Sequence, residues 1–427
     1  MIFKIDSYQS VTFAFTRLLQ HIKPHLETEY VPVFSSKGRV LKEDIISEND
    51  IPPYSTSHMD GFALKSEETI SATNSNPILF NISNKKSILG NHSHYDLKTG
   101  EVYRIQTGGY LPNNSNAIVP IESIKHVSTK SINIYSHVKK GSFVYTAGSD
   151  IQKDKKVLSK GQILKAQDMA MLAFLQISKV PVFRRPVVAI IPTGTELTDE
   201  VNQNKNKKIV NTNSHIISCI IEEIGGVSLD LGVTPDERGS LIKKIKNALI
   251  KSDIIITIGG SSVGKHDIVE TTINSFGKPG VLSHGIKLDR GRVTGLAAIN
   301  SKPVIISPGP VQGTLNAFIV FVRPLIRNYL GQTEKNDSTI LATVTENWHA
   351  RHNFLNFTNI VYVKVSKFQG EFFAAPIIGE TQSISLLVNS NGYIIVSEDD
   401  ININKGEKVE VNLLPGFSYI KDSFIPN

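Results

Sequence analysis

The chain has 427 residues, of which 40% are hydrophobic and 20% are charged, and its formal net charge is +7. This length and composition are typical of a globular protein with about three domains. The lysines are dispersed and form no basic stripe interleaved with aromatic residues, so we expect no nucleic acid partner, whereas an anionic small molecule fits the charge.

Cysteine content and apolar segments exclude further classes of protein. Cys219 is the only cysteine, so the chain can form neither an internal disulfide nor a thiolate metal site, which points to a reducing compartment. No run reaches the roughly 18 apolar residues of a membrane span, and residues 1–15 contain charges and no small-residue cleavage site. We therefore expect a soluble cytoplasmic protein with no membrane partner.

The N-terminal part of the chain alternates between helical and strand-like patterns. Apolar residues at helical spacing predict a helix from residue 7 to about residue 26, with Ser7 as its cap. Residues 50–145 contain short alternating strands separated by Asn, Ser, Gly and Pro, which predict a small β-rich domain. Residues 161–177, GQILKAQDMAMLAFLQI, return to a helical pattern.

From Pro186 onward, continuous apolar strands alternate with amphipathic helices such as SHIISCIIEEIGG and GSLIKKIKNALIKS. This order predicts a parallel sheet covered by helices on both faces. Residues 336–427 again show alternating strands and predict a small β-barrel. The polar segment 202–208, NQNKNKK, is predicted to be a mobile loop.

Three glycine-rich loops follow the apolar strands: PTGTEL (192–197), GGSSVGKHD (259–267) and SPGPVQGT (307–314). Ligands of parallel α/β sheets bind at the carboxyl ends of the strands, and backbone N–H groups of glycine loops can approach a phosphate closely. Glu196 and Asp267 would form a carboxylate pair suited to holding Mg²⁺ between substrate phosphates. Tight turns and helix caps are the alternative roles of these residues.

Other chemistries lack their motifs. The loops match neither the Walker nor the GxGxxG spacing, the histidines lack an HExxH-like spacing for zinc, and no GxSxG elbow is present. Serine and cysteine nucleophile hydrolases are therefore not expected.

Six motifs, taken in order, resemble one known family. They are PPYSTSHMDGFAL (52–64), RIQTGG (104–109), AGSDI (147–151), PTGTEL (192–197), GGSSVGKHD (259–267) and PGPVQGT (308–314). This set is similar to the molybdopterin molybdenumtransferases, the MoeA and gephyrin E-domain family, over essentially the whole chain.

The resemblance implies a multidomain α/β plus β fold in an elongated homodimer. Domain I would be helical and extended, domain II a β-rich insertion, domain III the parallel α/β sandwich that binds molybdopterin, and domain IV a C-terminal β-barrel. The corresponding boundaries are 1–50 with 142–185, 51–141, 186–332 and 336–427.

The implied reaction inserts molybdate, or tungstate, into adenylylated molybdopterin with Mg²⁺-assisted release of AMP. The resemblance assigns catalysis to Asp60, Thr107, Asp150, Glu196 and Asp267, the last two also as metal ligands, with the first three reaching the cleft of a partner subunit. Substrate-binding positions carried over from the family are Asn213, Gly259, Gly260, Ser261, Ser262, Pro308 and Gly309. A turn for Asp60, a hairpin for Thr107, a loop cap for Asp150 and a helix cap for Asn213 remain alternatives.

Two loops depart from the family pattern. KLDRG (287–291) stands where the family usually has KPGKP, and PGPVQG (308–313) where it has PGNPVS. Lys287, Arg290 and Arg292 retain positive charge, so DRGRVTG is a candidate rebuilt oxyanion pocket. Solvent-exposed loop arginines are the alternative to such a pocket.

These departures leave other functions open. The chain could be a paralogue that binds or delivers cofactor without inserting metal. A molybdopterin adenylyltransferase is a further alternative, although that enzyme normally lacks the flanking β-rich segments. Transient contact with such an adenylyltransferase and with apo-molybdoenzymes would accompany the transferase function.

Overall fold

The computed structural model describes residues 8–86, 89–90, 94–201, 208–260, 268–332 and 339–414. The chain divides into two compact units. The first comprises Met1–Lys42, Gly161–Met169 and Ser178–Asn427, and the second comprises Glu43–Lys160 and Ala170–Ile177. Residues 202–207 of the predicted mobile loop lie outside the described residues.

The described residues form helices and strands along the whole chain. The helices are α1 (Val11–Leu19), α2 (Ala166–Phe174), α3 (Asn213–Glu223), α4 (Arg238–Lys251), α5 (Ile268–Asn274), α6 (Val311–Ala317), α7 (Arg323–Tyr329) and α8 (Ile384–Asn389). The strands before residue 186 are β1 (Thr28–Pro32), β2 (Ile45–Ile46), β3 (Thr56–Ser57), β4 (Gly61–Leu64), β5 (Ile78–Lys86), β6 (Glu101–Ile105), β7 (Ala117–Pro120), β8 (Ile124–Ser128), β9 (Ser131–Ile134), β10 (Val144–Tyr145), β11 (Lys156–Leu158) and β12 (Lys179–Phe183). Those after it are β13 (Val187–Pro192), β14 (Leu197–Thr198), β15 (Ile209–Val210), β16 (Val227–Asp230), β17 (Ile254–Ile258), β18 (Gly280–His284), β19 (Gly295–Ile299), β20 (Lys302–Ser307), β21 (Thr339–Val344), β22 (Trp348–His349), β23 (Asn359–Phe368), β24 (Glu371–Pro376), β25 (Gly392–Val396), β26 (Asn402–Ile403) and β27 (Lys408–Leu413).

The second unit is built on a six-stranded sheet in the order β7-β4-β6-β5-β9-β8. Successive side chains of a strand point to opposite faces, and β4 follows this rule. Phe62 and Leu64 enter one apolar cluster, while Ala63 enters a second cluster. The predicted β-rich domain is therefore confirmed, with apolar residues packed on both faces of its sheet.

The first unit contains a six-stranded sheet in the order β16-β13-β17-β20-β19-β18. Strands β16, β13, β17 and β20 pair in parallel, as predicted. Strand β19 instead pairs antiparallel with both of its neighbours, so the expectation of a wholly parallel sheet is wrong at this edge. The loop 285–294 joins β18 to β19 and is too short for the crossover that parallel strands need.

Helices cover both faces of this sheet. In β13, Val188 and Ile190 enter an apolar cluster with residues of α1, α3, α6 and α7, whereas Ala189 and Ile191 enter a cluster with residues of α4 and α5. This two-sided burial explains why the strand is apolar at successive positions.

Two predicted helices are shorter than their apolar patterns. Helix α1 spans Val11–Leu19, and the Ser10 side chain caps it by accepting a hydrogen bond from the Phe13 N–H at 3.2 Å. Ser7, the predicted cap, lies outside the described residues. Helix α2 begins only at Ala166, so the first residues of the predicted segment 161–177 are not helical.

The C-terminal part forms a closed barrel in the strand order β21-β24-β23-β25-β27, which confirms the predicted barrel. Val361, Val363 and Val365 occupy alternate positions of β23 and pack in the apolar interior of the barrel. None of the helices in the described ranges combines the length and the apolar composition needed to span a bilayer.

A buried ion pair joins the segment after β12 to the start of β17. The carboxylate of Asp253, which is 7% exposed, accepts hydrogen bonds from Arg184 Nη1 at 3.0 Å and Nη2 at 2.8 Å. It also accepts the N–H of Val187 at 2.7 Å. On its exposed side, Arg184 Nε donates to Glu27 at 2.7 Å.

We expect Asp253→Asn to lower the free energy of unfolding by about 3 kcal/mol, because the buried carboxylate that pairs with Arg184 loses its charge and one of its acceptor oxygens. Glu27→Gln removes the exposed charge that contacts the same Arg184 guanidinium, and it should lower the free energy of unfolding by no more than about 1 kcal/mol. Urea unfolding followed by circular dichroism compares the two variants. Equal shifts of the unfolding midpoint would contradict the assignment.

Candidate functional site

The carboxyl ends of three adjacent parallel strands form one edge of the α/β sheet. Pro192 of β13 lies opposite Ile258 of β17, and Ile258 lies opposite Ser307 of β20. The predicted loops therefore begin at the same level. We call residues 193–196, 259–260 and 308–310 the rim.

Two glycines allow the rim loops to approach each other closely. Gly259 has φ of +85°, and a Cβ there would lie 2.6 Å from the Thr193 carbonyl oxygen. Gly260 has φ of +64°, and a Cβ there would lie 2.4 Å from Thr193 Oγ1. The Gly259 N–H donates to the Ser307 carbonyl at 3.1 Å, so the structure already uses this donor within the sheet edge.

Three further residues predicted for this loop, Ser261, Ser262 and Asp267, lie outside the described residues. The predicted pairing of Glu196 with Asp267 is therefore not described by the structure. Helix α5 begins at Ile268, directly after the loop.

Glu196 lies at the rim with an exposed side chain. Its Oε1 approaches within 2.6 Å of where a Cβ on Gly194 would lie, so the glycine gives room to the carboxylate. This carboxylate accepts no hydrogen bond from the residues that the structure describes.

Asp236 is a second carboxylate at the rim that the sequence analysis missed. Its Oδ2 accepts the N–H of Thr195 at 3.4 Å, and its own N–H faces Thr195 Oγ1 at 3.4 Å. The signal that could have found it is TPDERG, which follows β16 at the same sheet edge as Glu196.

Asn213 ties α3 to the third rim loop. Its Nδ2 donates to the Gly309 carbonyl at 2.7 Å and to Thr314 Oγ1 at 3.4 Å, while Thr314 Oγ1 donates to the Pro308 carbonyl at 2.7 Å. The side-chain oxygen that accepts the Ser214 N–H belongs to Asn211. The capping alternative for Asn213 is therefore wrong, and the structure brings Asn213, Pro308 and Gly309 together.

The three cations of the loop 287–292 have different partners. Lys287 Nζ lies 3.8 Å from Glu398 Oε2, and the Arg292 guanidinium lies 5.0 Å from the centre of the Phe354 ring. Arg290 Nη1 donates to Gln312 Oε1 at 2.5 Å and to the Gly379 carbonyl. Only Arg290 therefore contacts the loop that carries PGPVQG.

Arg290 and Gln312 line a cavity of about 320 Å³. His349 and Arg351 line it from the barrel side. Arg351 binds Asp289 through two hydrogen bonds, with Nε at 3.2 Å from Oδ2. We call this space the junction cavity, because residues of both the α/β sheet region and the barrel line it.

Two guanidiniums and one carboxylate line the junction cavity, and the carboxylate of Glu380 also acts on Arg290. Burial, together with the charge of Arg351, lowers the pKa of Arg290, while Asp289 acts in the opposite direction. The described hydrogen bonds of Arg290 use Nη1 alone, which leaves Nε and Nη2 to bind an oxyanion as a pair.

The sequence analysis missed Asp289 and Arg351. The available signal was NWHARHNF (347–354), a segment of the barrel dense in amide, imidazole and guanidinium groups.

In the second unit, Asp60 and Thr107 are in direct contact. Asp60 Oδ1 accepts the Thr107 N–H at 2.7 Å and the Thr107 hydroxyl at 2.9 Å. The hydrogen bond from the Thr107 backbone, followed by that from its hydroxyl, lowers the pKa of Asp60, so this exposed carboxylate stays ionised at neutral pH. Asp150 lines a separate polar depression with Lys155 and Lys156.

We expect Thr107→Val to raise the pKa of Asp60 toward its ordinary value, because one of the two hydrogen bonds to the ionised form is lost. The native pKa lies below the unfolded one, so this carboxylate contributes stability above the unfolded pKa and loses it as pH falls through the native pKa. The variant should therefore lose less stability on acidification. Carbon-13 NMR titration of labelled aspartates measures the pKa, with Asp60→Asn identifying the signal, and an unchanged pKa would contradict this account.

Three family models match the chain in succession. Residues 9–175 match the MoeA N-terminal region (domain I and II), residues 189–328 match a model described as "Probable molybdopterin binding domain", and residues 342–414 match the MoeA C-terminal region (domain IV). The matches follow the order of the described sheets and barrel.

Individual proteins match over almost the whole chain. A molybdopterin molybdenumtransferase of Bacillus subtilis is 29% identical over 93% of this chain and 92% of its own length. A Methanocaldococcus jannaschii protein whose name assigns it to molybdopterin biosynthesis is 30% identical over 94% of this chain and 96% of its own. The crystal structure of a molybdopterin biosynthesis MoeA protein of Pyrococcus horikoshii superposes with a TM-score of 0.83 at 29% identity, covering 95% of this chain and 99% of that one.

Proposed function

The chain belongs to the MoeA family of molybdenum cofactor biosynthesis, and we propose that it inserts molybdate or tungstate into adenylylated molybdopterin with Mg²⁺-dependent release of AMP. The observation that carries this proposal is the rim. There, closely packed glycine loops lie beside an exposed carboxylate at the carboxyl edge of a parallel sheet.

The rim suits the phosphates of the substrate. Gly260 is half-buried and Gly309 is exposed, and neither carries a side chain. Backbone N–H groups of such residues bind phosphate oxygens without requiring a charged side chain. Pro308 has no N–H, so it can only shape the loop. Asn213 fixes the position of the Gly309 carbonyl and therefore of this loop. The N–H of Gly259 already donates to the Ser307 carbonyl, so it is not a phosphate donor. The role of Gly259 is to allow the close approach of Thr193.

The donor set at the rim fits Mg²⁺. This ion prefers oxygen ligands and is commonly held by one or two carboxylates together with substrate phosphates. Glu196 offers a carboxylate to which no described residue donates a hydrogen bond, and we propose Asp267 as its partner. When bound, the ion would offset the phosphate charge during cleavage of the pyrophosphate bond.

The junction cavity is the proposed site of the oxyanion. Arg290 can present Nε and Nη2 to a tetrahedral dianion, and Arg351 adds a second guanidinium from the barrel. Lys287 and Arg292 would contribute at longer range, since Glu398 and Phe354 contact them.

We extend the proposal to assembly and partners. Two copies would form a homodimer, and Asp60, Thr107 and Asp150 would act in the same reaction. A molybdopterin adenylyltransferase would supply the substrate and apo-molybdoenzymes would receive the product.

One observation favours a second candidate, a paralogue that binds or delivers the cofactor without inserting metal. Each cation of the altered loop already has a protein partner: Glu398 for Lys287, Gln312 for Arg290 and Phe354 for Arg292. At Lys287 and Arg292 an oxyanion would have to compete with these contacts.

The test is to incubate the full chain with adenylylated molybdopterin, Mg²⁺ and molybdate, and to measure AMP by chromatography. We expect AMP release that requires molybdate and stops on addition of EDTA. Glu196→Gln should lower the rate about 100-fold, since a metal ligand is lost, and should require more Mg²⁺ for half-maximal rate. Tight binding of substrate without AMP release supports the second candidate, and full activity of Glu196→Gln removes the metal assignment.

Arg290→Ala should raise the KM for molybdate about tenfold or more, because a charge-assisted pair of hydrogen bonds to the oxyanion is lost. Arg290→Lys retains the charge without the paired hydrogen bonds, so its KM for molybdate should lie between that of Arg290→Ala and that of the parent chain. Steady-state kinetics at saturating adenylylated molybdopterin provide the measurement. A change in kcat alone, with the molybdate KM unaltered, would assign Arg290 to the contact with Gly379 rather than to the anion.

A further inference from the structure

An exposed face of the second unit carries several aromatic side chains. Thr56 of β3 lies opposite Tyr145 of β10 on one side and opposite Tyr110 on the other. Directly opposed residues place their side chains on the same face of a sheet. Ser57, the next residue, is 3% exposed and faces inward.

The rings on this face are paired edge to face. His58 and Tyr145 have ring centres 5.2 Å apart at an interplanar angle of 87°, and Tyr54 and Tyr110 have centres 5.3 Å apart at 74°. Tyr54 is 43% exposed and Tyr145 is 38% exposed. We call these four residues the aromatic face. Its rings hold each other in place while part of their surface remains in contact with solvent.

Hydrogen bonds connect Asp60, through Thr107 and Gly108, to the strand that precedes His58. The Ser57 carbonyl accepts the Gly108 N–H at 2.8 Å, and the preceding residue, Thr107, donates twice to Asp60 Oδ1. The described contacts of this carboxylate therefore use Oδ1, and no described residue donates to Oδ2. The result is an ionised acceptor whose Oδ2 has no described donor, two residues along the chain from His58.

On the basis of the proposed function, we infer that this surface binds the pterin ring system of the substrate, with Asp60 Oδ2 accepting hydrogen bonds from its 2-amino-4-oxo edge. That edge presents the adjacent donors 2-NH₂ and N3–H, and an ionised carboxylate is purely an acceptor. The flat bicyclic ring would rest against His58 and Tyr145, as heteroaromatic rings do on exposed aromatic side chains.

The inference assigns Asp60 to recognition of the pterin, which is a narrower role than catalysis. Thr107 is then a positioning residue, since its two hydrogen bonds orient the carboxylate and keep it ionised. The proposal concerns the second unit alone and predicts a binding preference that can be measured without turnover.

Two fragments that differ at one position test the carboxylate. The full chain is titrated with 6-methylpterin and with 6-methyllumazine, which carries a carbonyl in place of the 2-amino group. We expect the parent chain to bind the pterin about tenfold or more tightly, the scale of a hydrogen bond to a charged group. Asp60→Asn keeps the acceptor that faces Thr107 but converts Oδ2 to an N–H₂ donor, so the preference should vanish or reverse.

Ring variants test the aromatic face. Tyr145→Ala should weaken both fragments by a similar factor of about ten, because stacking does not distinguish them, whereas Tyr145→Phe should bind as the parent chain does. Tyr135→Ala removes a tyrosine of the same unit that contacts Lys125 instead, and it should leave both affinities unchanged. Thermal unfolding of each variant checks that it is folded. If Asp60→Asn fails to fold, the paired Tyr145 variants and His58→Ala decide the question.

The outcomes separate this inference from the proposed function. If the parent chain releases AMP in a molybdate-dependent manner, yet binds pterin and lumazine equally or binds neither, the inference is overturned and the proposed function stands. If the parent chain prefers pterin, loses that preference in Asp60→Asn and never releases AMP, the inference stands and the proposed metal insertion is contradicted. Affinity for AMP alone provides a further readout, because Asp60→Asn should leave it unchanged, and an equal loss of AMP and pterin affinity counts against pterin recognition.

Discussion

The parallel pairing of three fully buried strands is the constraint on which the α/β region depends. Because β13, β17 and β20 run side by side in one direction, their exits share one edge, and three chain segments distant in sequence meet there. The helices on both faces leave this edge as the place where backbone can meet a ligand. Gly259 and Gly260 are required at it because Thr193 occupies the space that a Cβ would need.

A second set of contacts joins the sheet region to the barrel. Asp289 is 7% exposed and binds Arg351, while Arg290 reaches the Gly379 carbonyl. These bonds place guanidinium groups from two distant segments around one cavity. The same loop that departs from the family sequence pattern thus carries the contacts to the barrel, so its substitutions alter both the proposed anion site and the packing around it.

The sequence predicted what depends on local pattern and could not predict what depends on distant partners. Apolar runs ending in glycine identified the parallel strands and their shared edge, and alternation identified the barrel. The antiparallel edge was missed because β18, with Ser283 and His284, lacks a continuous apolar run. The pairing of Asp289 with Arg351 joins residues 62 positions apart, and no local pattern encodes it. Asn213 and Asn211 are both plausible caps by residue type, and only the coordinates distinguish them.

If an oxyanion binds in the junction cavity as proposed, its binding and the attachment of the barrel are thermodynamically linked. Arg351 repels the Arg290 guanidinium, while Asp289 and Glu380 act in the opposite direction. A dianion held there would relieve the remaining repulsion and strengthen the attachment of the barrel. The coupling is reciprocal, so a change that weakens the attachment of the barrel must lower the affinity for the anion by the same coupling free energy. A bound oxyanion would then stabilise the contact between the barrel and the α/β sheet region. Its release with the product would weaken that contact.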